Sequence, residues 1–501
     1  MEAQILKMIE KEKVDICELF KTNTLKKVSK LDGQKCLAKY FVENSPQNYI
    51  FCGGRWYKYN ECNVLVLQHK TGDLILTVSD FLEAELEKLV QSIKDDDIVI
   101  KAINALIKRL ASVSFVKGIV EYIEILYSDD KLLDDIDNKQ HLFAFNNKVY
   151  DFRFKTLRPI FRTDFISITT GYDAPDFNNV DLKIMKELND ILLSIFNTQD
   201  IVNYWLDIMS QSLFNNSFQK LYIHTGGGAN GKGLLFRLMY KCLGSYYIQT
   251  DSEFLSTSYV SGQANSTLYN TRGKRILAVS EPNASLNSKN LTAGFNISFI
   301  KILTGGDQIS ARELFMKQGA TWSNQFTIHI QANDIPPIDK LDNGTRRRFI
   351  TIEYPNTFTD KEGELNEFER KKDITLPEKL DMEEYYKTFI IMLINRTKDF
   401  EKMIIPNSII ETSTNYINSN NPLVDWISEC CVLGDFKTKS SLLINNYNEN
   451  TPKHQIDGKK LKKYFEALTT YNISFDKNNS LYKGIRLKTF DEKNDDPTIT
   501  E

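Results

Sequence analysis

The chain has few glycines and prolines, 23 and 12 of its 501 residues, whereas ordinary globular proteins contain about 7% and about 5%. This scarcity excludes collagen-like repeats and chains dominated by flexible linkers. An apolar fraction of 42% is enough for sizeable cores and excludes wholesale disorder. At about 100–200 residues per domain, the length predicts two to four domains.

Metal-binding and membrane signatures are also missing from the sequence. The seven cysteines form no CxxC pair and the five histidines are scattered, so no zinc-ligand spacing is present. The odd cysteine number indicates free thiols in a reducing compartment. No apolar run reaches the ~18 residues that a transmembrane helix needs, and the first residues lack the apolar stretch of a signal peptide. We therefore expect a soluble, cytoplasmic protein with no membrane partner.

The chain has no large excess of either charge, because 63 basic and 66 acidic residues give a net charge of −3. This balance excludes a histone-like polycation, but a local basic surface can still bind nucleic acid. Residues 437–488 form such a region, with eleven Lys or Arg against four Asp or Glu.

The most specific local pattern is a glycine-rich run that fits G-x-x-x-x-G-K. It consists of Gly226, Gly227, Gly228, Ala229, Asn230, Gly231 and Lys232, and Gly233 follows it. An apolar run precedes it and a helical pattern follows, which is the context of a phosphate-binding loop. Backbone N–H groups can surround phosphates there, and Lys232 can reach the β- and γ-phosphates. A flexible glycine loop without a ligand is the alternative.

Three further segments carry residues suited to phosphoryl chemistry. A strand pattern ends at Glu281, which can hold Mg²⁺ through water or orient the attacking water. Another ends at Asn333, whose amide can hydrogen-bond the γ-phosphate. Arg346, Arg347 and Arg348 are adjacent, and Arg347 and Arg348 can provide planar donors that stabilise charge on a transferring phosphoryl group. A solvated basic face is the alternative. Two departures from the usual pattern are Gly233, where Ser or Thr normally meets Mg²⁺, and Ser280, which precedes Glu281 in place of a second acid.

The order and spacing of these segments resemble the superfamily 3 helicases, a branch of the AAA+ ATPases. The most similar family is the primase-helicases of poxviruses, other large DNA viruses, phages and plasmids. Residues 226–233 resemble its Walker A motif, 274–282 its Walker B motif, 300–312 its B′ motif, 326–333 its motif C and 342–349 its arginine-finger region. Residues 142–173 are similar to the domain that precedes the helicase, and the whole resemblance covers roughly residues 120–490.

The resemblance implies a homohexameric, ATP- and Mg²⁺-dependent helicase that translocates on single-stranded DNA and unwinds forked DNA during viral or phage genome replication. It implies that Lys232 binds the phosphates, Glu281 serves Mg²⁺ through water, and Asn333 senses the γ-phosphate. Arg347 or Arg348 would reach the nucleotide of a neighbouring subunit. A viral protein of this kind would work in the host cytoplasm beside a primase domain or protein and other replication factors. Residues 1–120 lack the paired carboxylates of a primase, so we expect no primer synthesis by this chain alone.

Two regions are candidates for DNA contact. By family analogy, residues 315–322 form a hairpin that carries Lys317 and Gln318 into a central channel, and the alternative is an ordinary surface turn. Near the carboxyl terminus, Lys459, Lys460 and Lys463 lie on a predicted helix followed by two possible strands. This pattern is typical of a winged-helix-like module that grips phosphates, and a solvated helix face is the alternative.

We therefore predict an α/β fold with an AAA+ P-loop ATPase core. The expected parts are a mixed α+β region (1–120), a family-specific domain and helical collar (121–216), the superfamily 3 core (217–355), a helical segment and linker (356–420), and a basic winged-helix-like module (421–501). The functional alternative to a helicase is an ATP-binding, oligomeric DNA-binding scaffold or origin-binding initiator with weak hydrolysis, which the residues at 233 and 280 motivate.

Overall fold

The computed structural model describes residues 32–45, 48–69, 71–92, 97–214, 219–280, 295–314, 316, 319–333, 343–397, 403–419, 423–452, 455–468, 471–489 and 492. Within these residues the chain combines helices with a five-stranded parallel sheet, which confirms the predicted α/β class. No helix in this part of the chain has the length and apolar character needed to cross a membrane.

The amino-terminal part combines a small antiparallel sheet with a layer of helices. Gly53 and Gly54 have positive φ and close a hairpin between β1 (Tyr49–Cys52) and β2 (Arg55–Tyr59), as the alternating aromatic pattern predicts. The remaining elements are β3 (Leu65–Gln68), α1 (Asp32–Asn44), α2 (Gly72–Ser92), α3 (Asp97–Leu110), α4 (Val113–Tyr127) and α5 (Leu132–Asp135). The apolar faces of α1 to α4 form one core with β1 and β2.

A second antiparallel sheet and two amphipathic helices follow. The sheet consists of β4 (Leu142–Ala144), β5 (Val149–Asp151) and β6 (Thr156–Arg158), and the helices are α6 (Leu182–Phe196) and α7 (Gln199–Gln211). Helix α6 begins where the Asp181 side chain accepts hydrogen bonds from the Lys183 and Ile184 backbone N–H groups, a standard N-cap.

The central sheet contains five strands that run in the same direction. They are β7 (Leu221–Thr225), β8 (Tyr247–Thr250), β9 (Ile276–Val279), β12 (Thr327–Ala332) and β13 (Phe349–Glu353), in the spatial order β13-β7-β12-β9-β8. The connections contain α8 (Lys232–Leu243), α9 (Ser266–Tyr269), α10 (Ile297–Gly305) and α11 (Asn343–Arg346). They also contain an antiparallel hairpin of β10 (Gln308–Ala311) and β11 (Ala320–Ser323).

The segment after the central sheet is less helical than the prediction for residues 356–420. It contains β14 (Thr357–Thr359) and β15 (Glu369–Lys371), which pair in parallel, before α12 (Leu376–Leu380), α13 (Glu383–Asn395) and α14 (Asn407–Ser419). The prediction of a mostly helical segment was therefore wrong for its first part. The Phe358 backbone N–H donates to Ala229 O over 2.7 Å, so β14 is fixed by a long-range contact that charge pattern cannot show. The run of turn-forming residues at 418–422, which predicts a linker, lies mainly outside the described residues.

Alternate side chains of the central strands enter two different cores, as a pleated strand requires. Tyr222 and His224 enter one core with helices α6, α7, α8 and α13. Leu221 and Ile223 enter the other, which includes α10, the β10–β11 hairpin and residues of the amino-terminal strands. The central sheet is therefore covered on both faces, and its strand ends are left to form sites.

The carboxyl-terminal part has a core of its own. Its elements are α15 (Leu423–Cys430), β16 (Cys431–Lys439), α16 (Ser440–Asn450), α17 (Gly458–Ala467), β17 (Ser474–Asp476) and β18 (Leu481–Leu487). The three strands form an antiparallel sheet in the order β16-β18-β17. Helix α17 and the two strands after it agree with the sequence pattern, whereas β16 was not anticipated.

Candidate functional site

The glycine-rich loop joins the carboxyl end of β7 to the start of α8. Gly226 has a φ of 139°, and a Cβ there would lie 2.6 Å from both the Tyr354 carbonyl oxygen and Asn230 Nδ2. Gly231 has a φ of 85°, and its Cβ would lie 2.8 Å from Ile195 Cδ1. Only glycine fits both the backbone conformation and the space at these two positions. The loop is therefore held tightly between α6 and the end of β13.

Lys232 and Asn333 are brought together although 101 residues separate them. The Lys232 ammonium donates to Asn333 Oδ1 over 3.0 Å and to Gly226 O over 2.6 Å. Asn333 directly follows β12, which lies beside β7 in the sheet, so both residues lie at the same edge. The side chain of Lys232 is almost buried, with 8% exposure. The structure thus places the lysine of the loop against the amide that the sequence analysis selected.

A cavity of about 290 Å³ opens over this edge of the sheet. It is lined by Gly227, Gly228, Ala229, Asn230, Lys232, Gly233, Gln249, Ser280, Gln331, Ala332 and Asn333. Among these described residues Lys232 is the only charged one, and it lies beside the first turn of α8. A cation at a helix amino terminus favours an anionic ligand such as a polyphosphate. Asn230 Nδ2 is buried and has no hydrogen-bond acceptor within the described chain, which leaves it a donor for such a ligand.

The side of the cavity expected to meet Mg²⁺ carries neutral oxygen groups. Gln249 Nε2 donates to Ser280 Oγ over 2.9 Å, and Gly233 contributes no hydroxyl. Glu281, the predicted metal residue, lies outside the described residues. Hydroxyl and amide oxygens suit a hard cation, but the described lining has no carboxylate. The fit to Mg²⁺ therefore depends on Glu281 and on phosphate oxygens of the ligand. Gln249 lies in no recognised motif, and Gln331 lies within motif C but was not selected as a site residue.

The adjacent arginines lie at the opposite end of the same sheet. They precede β13, and Phe349 pairs with Leu221 at the start of β7. The five residues of β7 separate this end from the glycine-rich loop by roughly 16 Å. Arg348 is 7% exposed and donates to Thr304 Oγ1 over 3.0 Å, whereas Arg347 is exposed and donates to Gln219 Oε1 over 2.6 Å. Arg347 is thus the one of the predicted pair that faces outward.

The hairpin of β10 and β11 includes the segment 315–322 that was predicted to contact DNA, and the hairpin contacts the amino-terminal part on its loop side. Lys317 and Gln318, the two residues predicted to contact DNA, lie outside the described residues. Glu313, two residues after the end of β10, forms an ion pair with Arg55 of β2, and the Thr321 N–H of β11 donates to Asp134 Oδ1 over 2.9 Å. The hairpin is therefore anchored to residues more than 180 positions earlier in the chain.

The lysines predicted in the carboxyl-terminal part lie on α17. Lys459, Lys460 and Lys463 are exposed, and their spacing of three and four residues puts them on one helix face. Lys462 lies apart from them, 3.7 Å from Glu466. The Asp457 side chain caps the helix by accepting from the Lys460 N–H over 2.8 Å. The exposed lysines form a basic face at the start of α17.

Comparisons with known proteins agree with the resemblance seen in the motifs. Residues 35–192 match the family described as "D5 N terminal like". The chain is 28% identical over 400 residues to a candidate helicase, L207/L206, of Acanthamoeba polyphaga mimivirus, covering 75% of this chain and 40% of that protein. It is 24% identical over 361 residues to a candidate helicase, 121R, of Invertebrate iridescent virus 3, covering 70% and 38%. A candidate primase, C962R, of African swine fever virus is 26% identical over 280 residues, covering 55% and 28%.

Solved structures are less similar to this chain in sequence than the viral relatives are. The C-terminal region of NrS-1 aligns with 88% of this chain and 96% of its own, at 12% identity and a TM-score of 0.44. The chain spans about two fifths of the length of the first viral relatives. The fold is that of an α/β protein with a glycine-rich loop at the edge of a parallel sheet. The amino-terminal match and the viral relatives support a relationship to the viral primase-helicase family.

Proposed function

We propose that this chain is an ATP-dependent DNA helicase of viral genome replication, with a superfamily 3, AAA+-type core. The observation that carries the proposal is the contact between Lys232 and Asn333 at the edge of an anion-suited cavity. A lysine held by a neighbouring strand's amide is poised to exchange that partner for a phosphate oxygen. The viral relatives support a replication role.

In this proposal each group of the cavity has its own role in binding or hydrolysing ATP. Lys232 and the loop N–H groups bind the β- and γ-phosphates, and Asn230 Nδ2 supplies a further donor. Asn333, released from Lys232, orients the γ-phosphate or the attacking water. Glu281 would hold Mg²⁺ through water, with Ser280 Oγ beside it, and the ion would neutralise charge on the phosphates. Preorganised donors of this kind stabilise charge that develops during phosphoryl transfer.

The position of Arg347 supports a site completed by a second copy of the chain. It lies at the end of the sheet away from its own glycine-rich loop, and its guanidinium faces outward. We propose that it reaches the ATP of the next subunit in a homohexamer. A particle mass near six times 57.9 kDa in the presence of ATP is expected, and a strictly monomeric particle that hydrolyses ATP would contradict this arrangement.

DNA would contact two surfaces. The β10–β11 hairpin would carry Lys317 and Gln318 to single-stranded DNA in the channel. The carboxyl-terminal part, with its helix–strand–helix–helix–strand–strand order, has the order of a winged helix. Its Lys459, Lys460 and Lys463 face would bind the phosphates of a fork. Primer synthesis would come from a separate primase domain or protein.

The central experiment measures ATP turnover with and without single-stranded DNA, together with unwinding of a forked substrate. We expect DNA-stimulated turnover and unwinding, both abolished by Lys232→Ala. Lys241→Ala is the matched control, because Lys241 lies on the same helix but its ammonium faces Asp381 at 3.5 Å. The control should retain both activities. Turnover that survives Lys232→Ala would contradict the proposal.

The second candidate is an ATP-binding DNA scaffold or initiator with weak hydrolysis. The neutral lining formed by Gly233, Ser280 and Gln249 favours it. It predicts that Glu281→Gln leaves oligomerisation and DNA binding intact and that the wild-type chain unwinds no fork. The helicase proposal predicts instead that Glu281→Gln retains ATP binding but abolishes unwinding.

A further inference from the structure

A continuous chain of buried side chains crosses the central sheet beneath the glycine-rich loop. Tyr354 Oη lies 3.1 Å from His224 Nδ1, and His224 Nε2 lies 3.0 Å from His329 Nδ1. His329 Nε2 is 2.8 Å from Thr327 Oγ1. Thr327 Oγ1 is 2.6 Å from Ser212 Oγ, which donates to the Ile208 carbonyl over 2.8 Å. Both histidines have no exposed surface, so no solvent competes for these contacts.

Burial lowers the pKa of both histidines and keeps the rings neutral, and elementary hydrogen-bond chemistry then fixes the direction of every link. The Ile208 carbonyl can only accept, so the Ser212 hydroxyl donates to it and accepts from Thr327. Thr327, having donated its one proton, accepts from His329 Nε2–H. His329 Nδ1 is then unprotonated and accepts from His224 Nε2–H. By the same step His224 Nδ1 accepts from the Tyr354 hydroxyl. The two neutral histidines are therefore both Nε2–H tautomers, and the chain runs one way from Tyr354 to Ile208.

The Tyr354 end and the middle of this chain lie next to the parts that hold Lys232 and Asn333. The Tyr354 N–H donates to Thr225 O over 2.8 Å, and Thr225 Oγ1 donates to Asn333 O over 3.3 Å. The His224 ring packs edge-on against Phe236 of α8, with ring centroids 4.9 Å apart. His329 lies four residues before Asn333 on β12. The side-chain links thus join β13, β7 and β12 directly below the cavity.

We propose that this directed chain is a positioning device, in which His224, His329 and Tyr354 set the placement of Asn333 against Lys232 for ATP turnover. The role in turnover rests on the proposed function. Apolar side chains would fill the same core without the desolvation of five polar groups. A fully satisfied network instead specifies one arrangement of the strands. Neither histidine touches the cavity, so both act through the loop and through Asn333.

The arrangement requires both rings to stay neutral. A second proton on His329 would point its Nδ1–H at the Nε2–H of His224. A second proton on His224 would remove the nitrogen that accepts from the Tyr354 hydroxyl. Burial holds the pKa of His224 well below its usual value, and the positive charges of His329 and Lys232 would lower it further. Burial lowers the pKa of His329 to about 3. Tyr222 and Phe236 cover the remaining ring faces of His329, and neither carries a charge near neutral pH.

The hydrogen-bond chain can be tested without any assumption about ATP. The whole protein, labelled with ¹⁵N only in its histidine rings, is examined by NMR at pH 7 and pH 5. Variants His224→Gln and His329→Gln assign the signals. We expect two neutral Nε2–H rings that do not titrate between these pH values. An Nδ1–H tautomer or an imidazolium at either residue would overturn the chain.

The positioning role is tested with Tyr354→Phe, which removes only the first donor. We expect kcat for ATP to fall about tenfold while ATP affinity changes less than twofold.

Tyr172→Phe is the matched control, because the Tyr172 hydroxyl donates to Cys242 O over 2.6 Å in the same core but lies outside the hydrogen-bonded chain. It should leave kcat unchanged at a similar loss of thermal stability. Equal kcat values for the two variants would overturn the positioning role and leave the helicase proposal intact. A wild-type chain without ATP turnover would contradict the helicase proposal instead.

Discussion

The two candidate ligand surfaces of this protein are built in opposite ways. The cavity over the central sheet is formed by groups at the ends of four strands, and Lys232, Asn333 and the loop are held there by mutual hydrogen bonds. The basic face of α17 consists of three exposed lysines on one helix. A site of the first kind fails when one member changes, because each position depends on the others. A surface of the second kind loses affinity in small, nearly additive steps.

The largest effect is expected from Gly226→Ala in the loop. The new Cβ would lie 2.6 Å from the Tyr354 carbonyl oxygen, at a φ that disfavours any residue except glycine. Strain and displacement together should weaken ATP binding by about 100-fold or more, about 3 kcal/mol. Binding is measured by titration calorimetry. Gly72→Ala is the control, since nothing lies within 4 Å of its Cβ and Gly72 does not line the cavity. Similar losses for the two variants would show that the loop is not held as described.

The next effect is a loss of stability of the central sheet in mild acid. His224 and His329 remain neutral when folded, because burial holds the pKa of both far below the usual value near 6.5. Once unfolded, both bind protons below about pH 6.5, so acid favours the unfolded state. Their stabilising contribution is complete above pH 6.5 and declines as the pH falls, by about 1 kcal/mol for each histidine between pH 6 and pH 5.

Urea unfolding of the wild-type chain and of the His224→Gln, His329→Gln double variant, at pH 6 and pH 5, measures this effect. The variant retains the carboxylates and therefore corrects for their titration. We expect the wild-type chain to lose about 2 kcal/mol more than the variant over this interval. Equal losses would mean that the histidines are not buried as neutral rings.

The structure also shows which features of the fold and the site can be predicted from the sequence. The glycine-rich loop, the Gly53–Gly54 hairpin and α17 were predictable because each follows from a local pattern of a few residues. The meeting of Lys232 with Asn333 was predictable because both follow strands of one parallel sheet. The pairing of His224 with His329 was not, because each residue alone is an ordinary polar residue within an apolar strand. Arg55–Glu313 and the Phe358–Ala229 contact likewise depend on how distant elements pack.

A smaller effect is expected where the hairpin meets the amino-terminal part. The Arg55–Glu313 pair is about one-quarter exposed, so its contribution to stability is about 1 kcal/mol or less. If the hairpin contacts DNA, Arg55→Ala should reduce the stimulation of ATP turnover by single-stranded DNA two- to fivefold and leave basal turnover unchanged. The exchanged pair Arg55→Glu with Glu313→Arg should restore it. Arg237→Ala, which breaks a pair with Asp381 away from the hairpin, is the control. Equal effects of the two single variants would argue against this coupling.

The smallest effects are expected on α17, where they also test the comparison most directly. Each of Lys459→Ala, Lys460→Ala and Lys463→Ala removes one exposed charge and should weaken forked-DNA binding about two- to threefold. Each should also reduce the slope of log affinity against log salt by about one.

Lys462→Ala is the matched control, because Lys462 is half-buried between Glu466 and the Phe475 ring and its loss should change the slope least. Fluorescence anisotropy across a salt series measures both quantities. A single lysine that accounted for nearly all of the affinity would mean that this face is a constructed pocket like the cavity, and a flat salt response for all four variants would leave it a solvated helix face.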